Sequence, residues 1–290
     1  MVADPICVWP LEAELGEGPL WLASQQALWF VDIKADKLHR FKPSTAAKTS
    51  WSTPPSPSFI APARNGGFVV GLKAGLHRFD PEIGTFTLLR DPEPDQPDNR
   101  LNDAHVGADG TLWFGSMHDP ESDDSGALYS YGGGDRLLRR DGGMRVTNGP
   151  AFSPDRRTFY HTDTIRRTVY AYDADDAGGL ANKRVFVRFA DGDGHPDGTA
   201  VDAEGGVWIG SFGGGALFRF SAEGALVARI ALPCPNVTKA AFGGPDLKTL
   251  YVTTARVGMD AKALARHPLA GGLFSLSADV AGLPQYEAAL

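Results

Sequence analysis

Residues 146–163, V-T-N-G-P-A-F-S-P-D-R-R-T-F-Y-H-T-D, carry the reading of the fold. Asn148 stands beside Gly149-Pro150, a pair that disfavours helix. A short apolar run follows, then a Ser153-Pro154-Asp155 turn and an aromatic, β-prone segment at residues 158–160. The same order of polar residue, apolar run, turn and aromatic strand recurs along the chain. Its landmarks are Trp29, Phe68, Trp113, Phe159, Trp208 and Tyr251, spaced 39 to 49 residues apart.

A period of that size with strands throughout is the mark of propeller blades. Each landmark is followed by a second β run: Leu38-His39-Arg40-Phe41, Leu76-His77-Arg78-Phe79, Ala127-Leu128-Tyr129-Ser130, Val169-Tyr170-Ala171-Tyr172, Ala216-Leu217-Phe218-Arg219-Phe220 and Gly272-Leu273-Phe274-Ser275. The reading is all-β: a six-bladed β-propeller with a central metal site, formed as a single domain by residues 1–290. The sixth repeat carries a helical insertion at residues 259–267, ended by Pro268. Residues 5–9 and 284–288 read as β segments, and the two chain ends are expected to meet and close the ring.

Composition limits what such a ring can do. A formal net charge of −7, with no run of Lys or Arg, argues against a nucleic-acid surface. Only Cys7 and Cys234 are present, too few for a disulfide framework or a thiolate zinc site, and both read as buried or partly buried apolar residues. The first residues lack a basic region followed by an apolar core, and no apolar run is long enough to span a bilayer; a cytoplasmic protein without membrane partners is expected. Gly213-Gly214-Gly215 lacks the strand–loop–helix setting of a phosphate loop, and no serine lies in a G-x-S-x-G elbow.

The repeat register points to a site. Asn102, Asn148 and Asp197 each precede their landmark by 11 residues, Glu17 precedes Trp29 by 12, and Ser58 precedes Phe68 by 10. In the sixth repeat the turn is longer, and Asn236 or Lys239 is the equivalent. Innermost strands of a propeller line a channel, so one repeated position becomes a ring of side chains. Glu17, Asn148 and Asp197 on that ring make an all-oxygen set for a divalent cation: Ca, Mg, Mn, Fe(II) or Zn. Three protein ligands leave coordination positions open. A cation so held can polarise a carbonyl and lower the pKa of bound water, the two needs of ester or lactone hydrolysis.

Four short motifs, Gly16-Glu17-Gly18-Pro19, Arg100-Leu101-Asn102-Asp103, Thr147-Asn148-Gly149-Pro150 and Pro196-Asp197-Gly198, stand in order at blade spacing. Together they resemble the signature of the regucalcin, gluconolactonase and luciferin-regenerating-enzyme family of six-bladed propellers, over essentially the whole chain. Asn99-Arg100-Leu101-Asn102-Asp103, Gly115-Ser116-Met117-His118-Asp119 and Asn236-Val237-Thr238-Lys239 add a resemblance to its bacterial xylonolactonases. The resemblance implies a metal on Glu17, Asn148 and Asp197, with Arg100 and Asn102 holding a sugar-derived substrate. The catalytic pair is then Asn102 and Asp197, with Asp197 the candidate base. A further sugar contact falls in residues 117–121, where His118, Asp119 and Glu121 are the alternatives. Leu101 stands where relatives often carry Pro or Phe, a change to the pocket wall.

The expected activity is hydrolysis of a sugar-acid lactone, D-xylonolactone or a related aldonolactone, to the aldonic acid. Two rivals are a non-catalytic propeller that binds a protein or peptide, and a hydrolase of the same fold acting on organophosphates or other esters. Among the remaining polar residues, His161 and His195 read as core or rim histidines, Lys239 as a surface residue or a positive charge offered to the substrate, and Asp163 as a buttress of the site.

Overall fold

The second strand of each repeat does not alternate apolar with polar residues. Ala27–Asp32 and Phe68–Leu72 are buried along their whole length, as strands covered on both faces must be. The fourth strands, such as Ala47–Ser52 and Leu226–Ala231, alternate exposed with half-buried residues, as an outer edge does. The computed structural model describes residues 4–290. Within them, 24 strands form six four-stranded antiparallel sheets, and the fold is a six-bladed β-propeller.

The inner strands are Gly16–Leu22, Phe59–Pro62, Asn99–Val106, Thr147–Phe152, His195–Val201 and Val237–Gly243 in blades one to six. Each packs against the inner strands of the blades before and after it, and that of blade six packs against blade one. Six buried apolar clusters fill the six gaps between blades. Trp29 meets Phe68 across one gap at 4.5 Å between ring centroids, and Trp113 meets Phe159 across another at 4.9 Å. The aromatic landmarks recur because each blade needs large rings to fill the wedge beside it; burying each contributes about 1.5–3 kcal/mol.

Ring closure differs from the expectation. Ile6–Trp9 pairs with Leu273–Ser277 as the fourth strand of blade six, so a single N-terminal strand closes the ring. With that edge filled, none is left for residues 284–288, which form no strand beyond an isolated bridge of Ala288 to Ala63. The C-terminal segment instead crosses the channel end. The Ala281 carbonyl accepts from Ala203 N–H in blade five, Gly282 N–H donates to Leu247 in blade six, and Ala288 and Ala289 N–H donate to Pro62 and Gly110 in blades two and three. The helical insertion is present as Ala261–Arg266, capped by the Asp260 carboxylate on Ala263 N–H and lying between the second and third strands of blade six. No helix among the described residues is long and apolar enough to cross a membrane.

Candidate functional site

Five of the six inner strands carry a β-bulge at the same level, where two residues oppose one on the second strand. The bulged pairs are Gly18-Pro19, Asn102-Asp103, Gly149-Pro150, Asp197-Gly198 and Thr238-Lys239; blade two has none. A bulge twists its strand and re-aims the side chains around it. In blades one and four the bulge begins with a left-handed glycine, Gly18 at φ 54° and Gly149 at φ 53°, and the preceding residue, Glu17 or Asn148, carries the polar group. In the other three bulged blades the first bulge residue carries it.

Strand pairing relates the ring positions to one another and corrects the count. The second-strand residue facing the next blade is Trp29, Trp113, Tyr160, Trp208 or Tyr251 in the bulged blades. Its partners are Leu20, His105, Ala151, Ala200 and Ala241, and three residues before each stand Glu17, Asn102, Asn148, Asp197 and Thr238. The landmark of blade four is therefore Tyr160, and Asn148 precedes it by 12 residues, as Glu17 precedes Trp29. The departure from 11 is one residue of hairpin. Thr238 takes the ring position in blade six with Lys239 beside it, while Asn236 lies outside the ring and donates to Val257 O at 3.0 Å. Ser58, in the blade without a bulge, donates its hydroxyl to Gly71 O at 3.2 Å.

Glu17, Asn102, Asn148 and Asp197 are all buried and come together at one level of the channel. Asn102 Nδ2 donates to Asn148 Oδ1 at 3.0 Å and to Thr147 O at 2.6 Å, and Asn148 Nδ2 donates to Thr164 Oγ1 at 2.9 Å. Arg100 gives Nη1 to Asn102 Oδ1 at 2.6 Å and Nε to Asp119 Oδ1 at 2.9 Å. One Glu17 oxygen accepts from Gly18 N–H at 2.8 Å. Glu17 and Asp197 stand within hydrogen-bonding reach of each other. Burial raises the pKa of both carboxyls; the Asp103 charge then pushes Glu17 further, and the Glu17 charge pushes Asp197.

Below the pair, Asp103 and Lys239 meet across the channel from blades three and six, with Nζ 2.5 Å from Oδ1. Asp103 also accepts from Gly149 N–H and Ala104 N–H at 2.9 and 2.8 Å. Lys239 is thus a buried ion-pair partner and not a surface residue. Beyond it lies a cavity of about 160 Å³, lined by residues after the bulges and by the C-terminal segment.

Three buried carboxyl side chains thus share one ammonium, and that ammonium is bound to Asp103. A mutually repelling acid pair beside an amide oxygen is a donor set that suits a hard divalent cation. Among the described residues no three His, Cys, Asp or Glu side chains form a metal-binding cluster, so a cation here would rely on Asn148 as its third protein donor.

The other candidates separate clearly. Asp119 reaches Arg100, whereas His118 Nδ1 accepts from the backbone of Ser122 and Asp123 at 3.2 and 3.1 Å, and Glu121 is exposed. Asp163 does not touch the site: it accepts from Arg166 Nη1 at 2.9 Å, and it is its neighbour Thr164 that accepts from Asn148 Nδ2. His161 is buried with neither ring nitrogen hydrogen-bonded, and burial lowers its pKa to about 3. His195 Nδ1 lies 3.1 Å from Thr164 O, a rim contact. Sequence reasoning missed Lys34, Lys73 and Thr164. A second repeated position could have found two of them, since Lys73, Asp119 and Thr164 each directly follow the second strand of their blade.

A family model described as "SMP-30/Gluconolactonase/LRE-like region" matches residues 15–256. The chain belongs to that family. It is 34% identical over 277 residues to a 6-deoxy-6-sulfogluconolactonase of Pseudomonas putida, covering 95% of each chain. It is also 34% identical to an L-arabinolactonase of Azospirillum brasilense, covering 93% of this chain and 90% of that one. Among solved structures it superposes on a regucalcin of Agrobacterium tumefaciens, described as a calcium-binding protein, with a TM-score of 0.95 at 30% identity over 100% of this chain and 98% of that one.

Proposed function

We propose that this protein is a lactonase that opens a sugar-acid lactone, D-xylonolactone or a related aldonolactone, to the aldonic acid. The observation that carries the reading is the uncompensated buried pair Glu17 and Asp197, set beside Asn148 and under Arg100 and Asn102. Relatives named as lactonases on sulfogluconolactone and arabinolactone support the substrate class, and a relative described as calcium-binding supports a divalent ion.

Glu17, Asn148 and Asp197 would hold that ion. When bound, it supplies a Lewis acid for the lactone carbonyl and a lowered pKa for water. The chain's own groups do the positioning. Asn102 Oδ1 has one lone pair occupied by Arg100 and one left to accept a sugar hydroxyl. Arg100 is locked between Asp119 and Asn102, so its remaining N–H groups are aimed without losing side-chain freedom on binding. Asp197 takes a proton from the attacking water. Water oxygen bonds to the carbonyl carbon, the bond from that carbon to the ring oxygen breaks, and the proton passes to the ring oxygen.

A panel of pentono- and hexono-lactones, assayed by pH indicator with chelator-treated protein and with added divalent ions, tests the proposal. Ion-dependent turnover that disappears in Asp197→Ala and Asn148→Ala is the expected result. Full turnover by chelator-treated Asp197→Ala, or no turnover of any lactone with any ion, would overturn it.

A further inference from the structure

Outside the acid pair, one cluster is charged out of proportion to its surroundings. Asp119 Oδ1 accepts from Arg100 Nε at 2.9 Å and from Lys34 Nζ at 3.1 Å, and its second oxygen lies 3.5 Å from Lys73 Nζ. Lys34 and Lys73 come from blades one and two, in the turns that follow their second strands, and Asp119 occupies the same turn of blade three. Three cations from three blades thus converge on one carboxylate, in a chain whose formal charge is −7.

Stability does not account for this arrangement. The side chains of Lys34 and Lys73 are 37% and 40% exposed, and such pairs contribute little. Asp119 carries a single charge against three cations, so the attraction of each lysine to it is opposed by repulsion from the other two cations. Besides Asp119, the acids whose charge reaches Arg100 are Glu121, which is exposed, and Glu17 of the pair below; at the rim itself Lys34, Lys73 and Arg100 outnumber Asp119 and Glu121 by one. The rim is also wired to the site below, because the same guanidinium bonds Asp119 on one side and Asn102 on the other. A cavity of about 190 Å³ opens beside Lys73 and Arg100. Its lining also holds Asp91, which accepts from Glu93 N–H, and Glu93, which accepts from Ser116, Tyr129 and Asn99.

We infer that Lys34, Lys73 and Arg100 form a subsite for an anionic group, a sulfonate, phosphate or carboxylate, at the end of the lactone remote from its carbonyl. The inference rests on the lactonase reading for its substrate but names residues outside the acid pair. An anion at the rim would accept charge-assisted hydrogen bonds from cations that otherwise share one carboxylate.

The test compares a neutral hexonolactone with the same lactone bearing a terminal phosphate, sulfonate or carboxylate, in the wild type and in Lys34→Met/Lys73→Met. The wild type should favour at least one anionic lactone by about tenfold in kcat/KM, the size expected of two partly exposed charged contacts. Which of the three is favoured identifies the group. The double variant should bring the ratio close to one. Binding of gluconate against 6-phosphogluconate, followed by thermal shift, gives the same comparison without turnover, so it decides the inference even if every lactone is inert and the lactonase reading fails. A wild-type ratio near one in both measurements, or a ratio unchanged by the double substitution, would overturn the subsite.

Discussion

Replacing Lys239 by methionine isolates the charge balance beneath the acid pair, because methionine keeps most of the side-chain length and removes the ammonium. The substitution strands Asp103, which is buried and loses a partner at 2.5 Å. Breaking a buried pair from one side costs about 3–5 kcal/mol. Asp103 retains the Gly149 and Ala104 N–H groups, which places the loss at the low end, about 3 kcal/mol. For a chain of this size, at about 2 °C per kcal/mol, cation-free protein should melt about 6 °C lower. Asp103→Asn in the same background should recover most of that, because an amide needs no counter-charge. Cation binding should move the other way: the acid pair loses a competing positive charge, so Lys239→Met should bind a divalent ion more tightly and show a larger melting shift on loading. Calorimetric melts of the wild type, both single variants and the double variant, with chelator and with ion, measure both effects. A Lys239→Met protein as stable as the wild type, or additive losses in the double variant, would refute the pair as a coupled unit.

Two further outcomes follow from the burial of ionisable groups. Since Glu17 and Asp197 have raised pKa values, the cation-free pair holds a proton near neutrality that an ion must displace; binding should release up to about one proton and tighten as pH rises, as titration calorimetry in buffers of different ionisation enthalpy will reveal, and pH-independent binding would count against the assignment. His161 has a lowered pKa, so its contribution to stability is full above the unfolded value of about 6.5 and is lost as pH falls toward about 3; His161→Leu should flatten the acid limb of melting temperature against pH, and an unchanged limb would show that the imidazole does not titrate on unfolding.

The blades were legible because their cause is local and repeated. Each needs a large buried side chain facing its neighbour, and Trp29, Trp113 and Trp208 announce it in sequence. Ring closure was not legible, because residues 6–9 and 284–288 look alike as β segments; which one takes the edge of Leu273–Ser277 depends on where the channel ends lie, a property of the assembled ring. The acid ring was legible in outline through Glu17, Asn102, Asn148 and Asp197. The Lys34 and Lys73 contacts with Asp119 were not, because they join side chains 85 and 46 residues apart that share no strand. Lys239 was misjudged for a related reason: lysine is ordinarily a surface residue, and only its facing blade supplies Asp103.

Counting back from the aromatic landmarks worked for a reason the strand pairing makes plain. The count combines two lengths: the step along the inner strand, which is fixed, and the hairpin, which is free to vary. From ring residue to cross-strand partner the step is three residues in every bulged blade, for Glu17 to Leu20 as for Asp197 to Ala200. The hairpin differs by a residue between blades one and five, and it lies at the far end of the channel, where a changed turn disturbs nothing at the acid pair. Hairpin length can therefore drift without cost to the site, whereas a residue gained or lost between the bulge and Leu20 would turn Glu17 out of the ring. A deletion within the Ala23–Gln25 turn should accordingly leave cation binding intact. Deleting Pro19, which removes the bulge that re-aims the strand beside Glu17, should abolish it at comparable loss of stability; equal cation affinity in the two deletions would show that the bulge does not aim the acid.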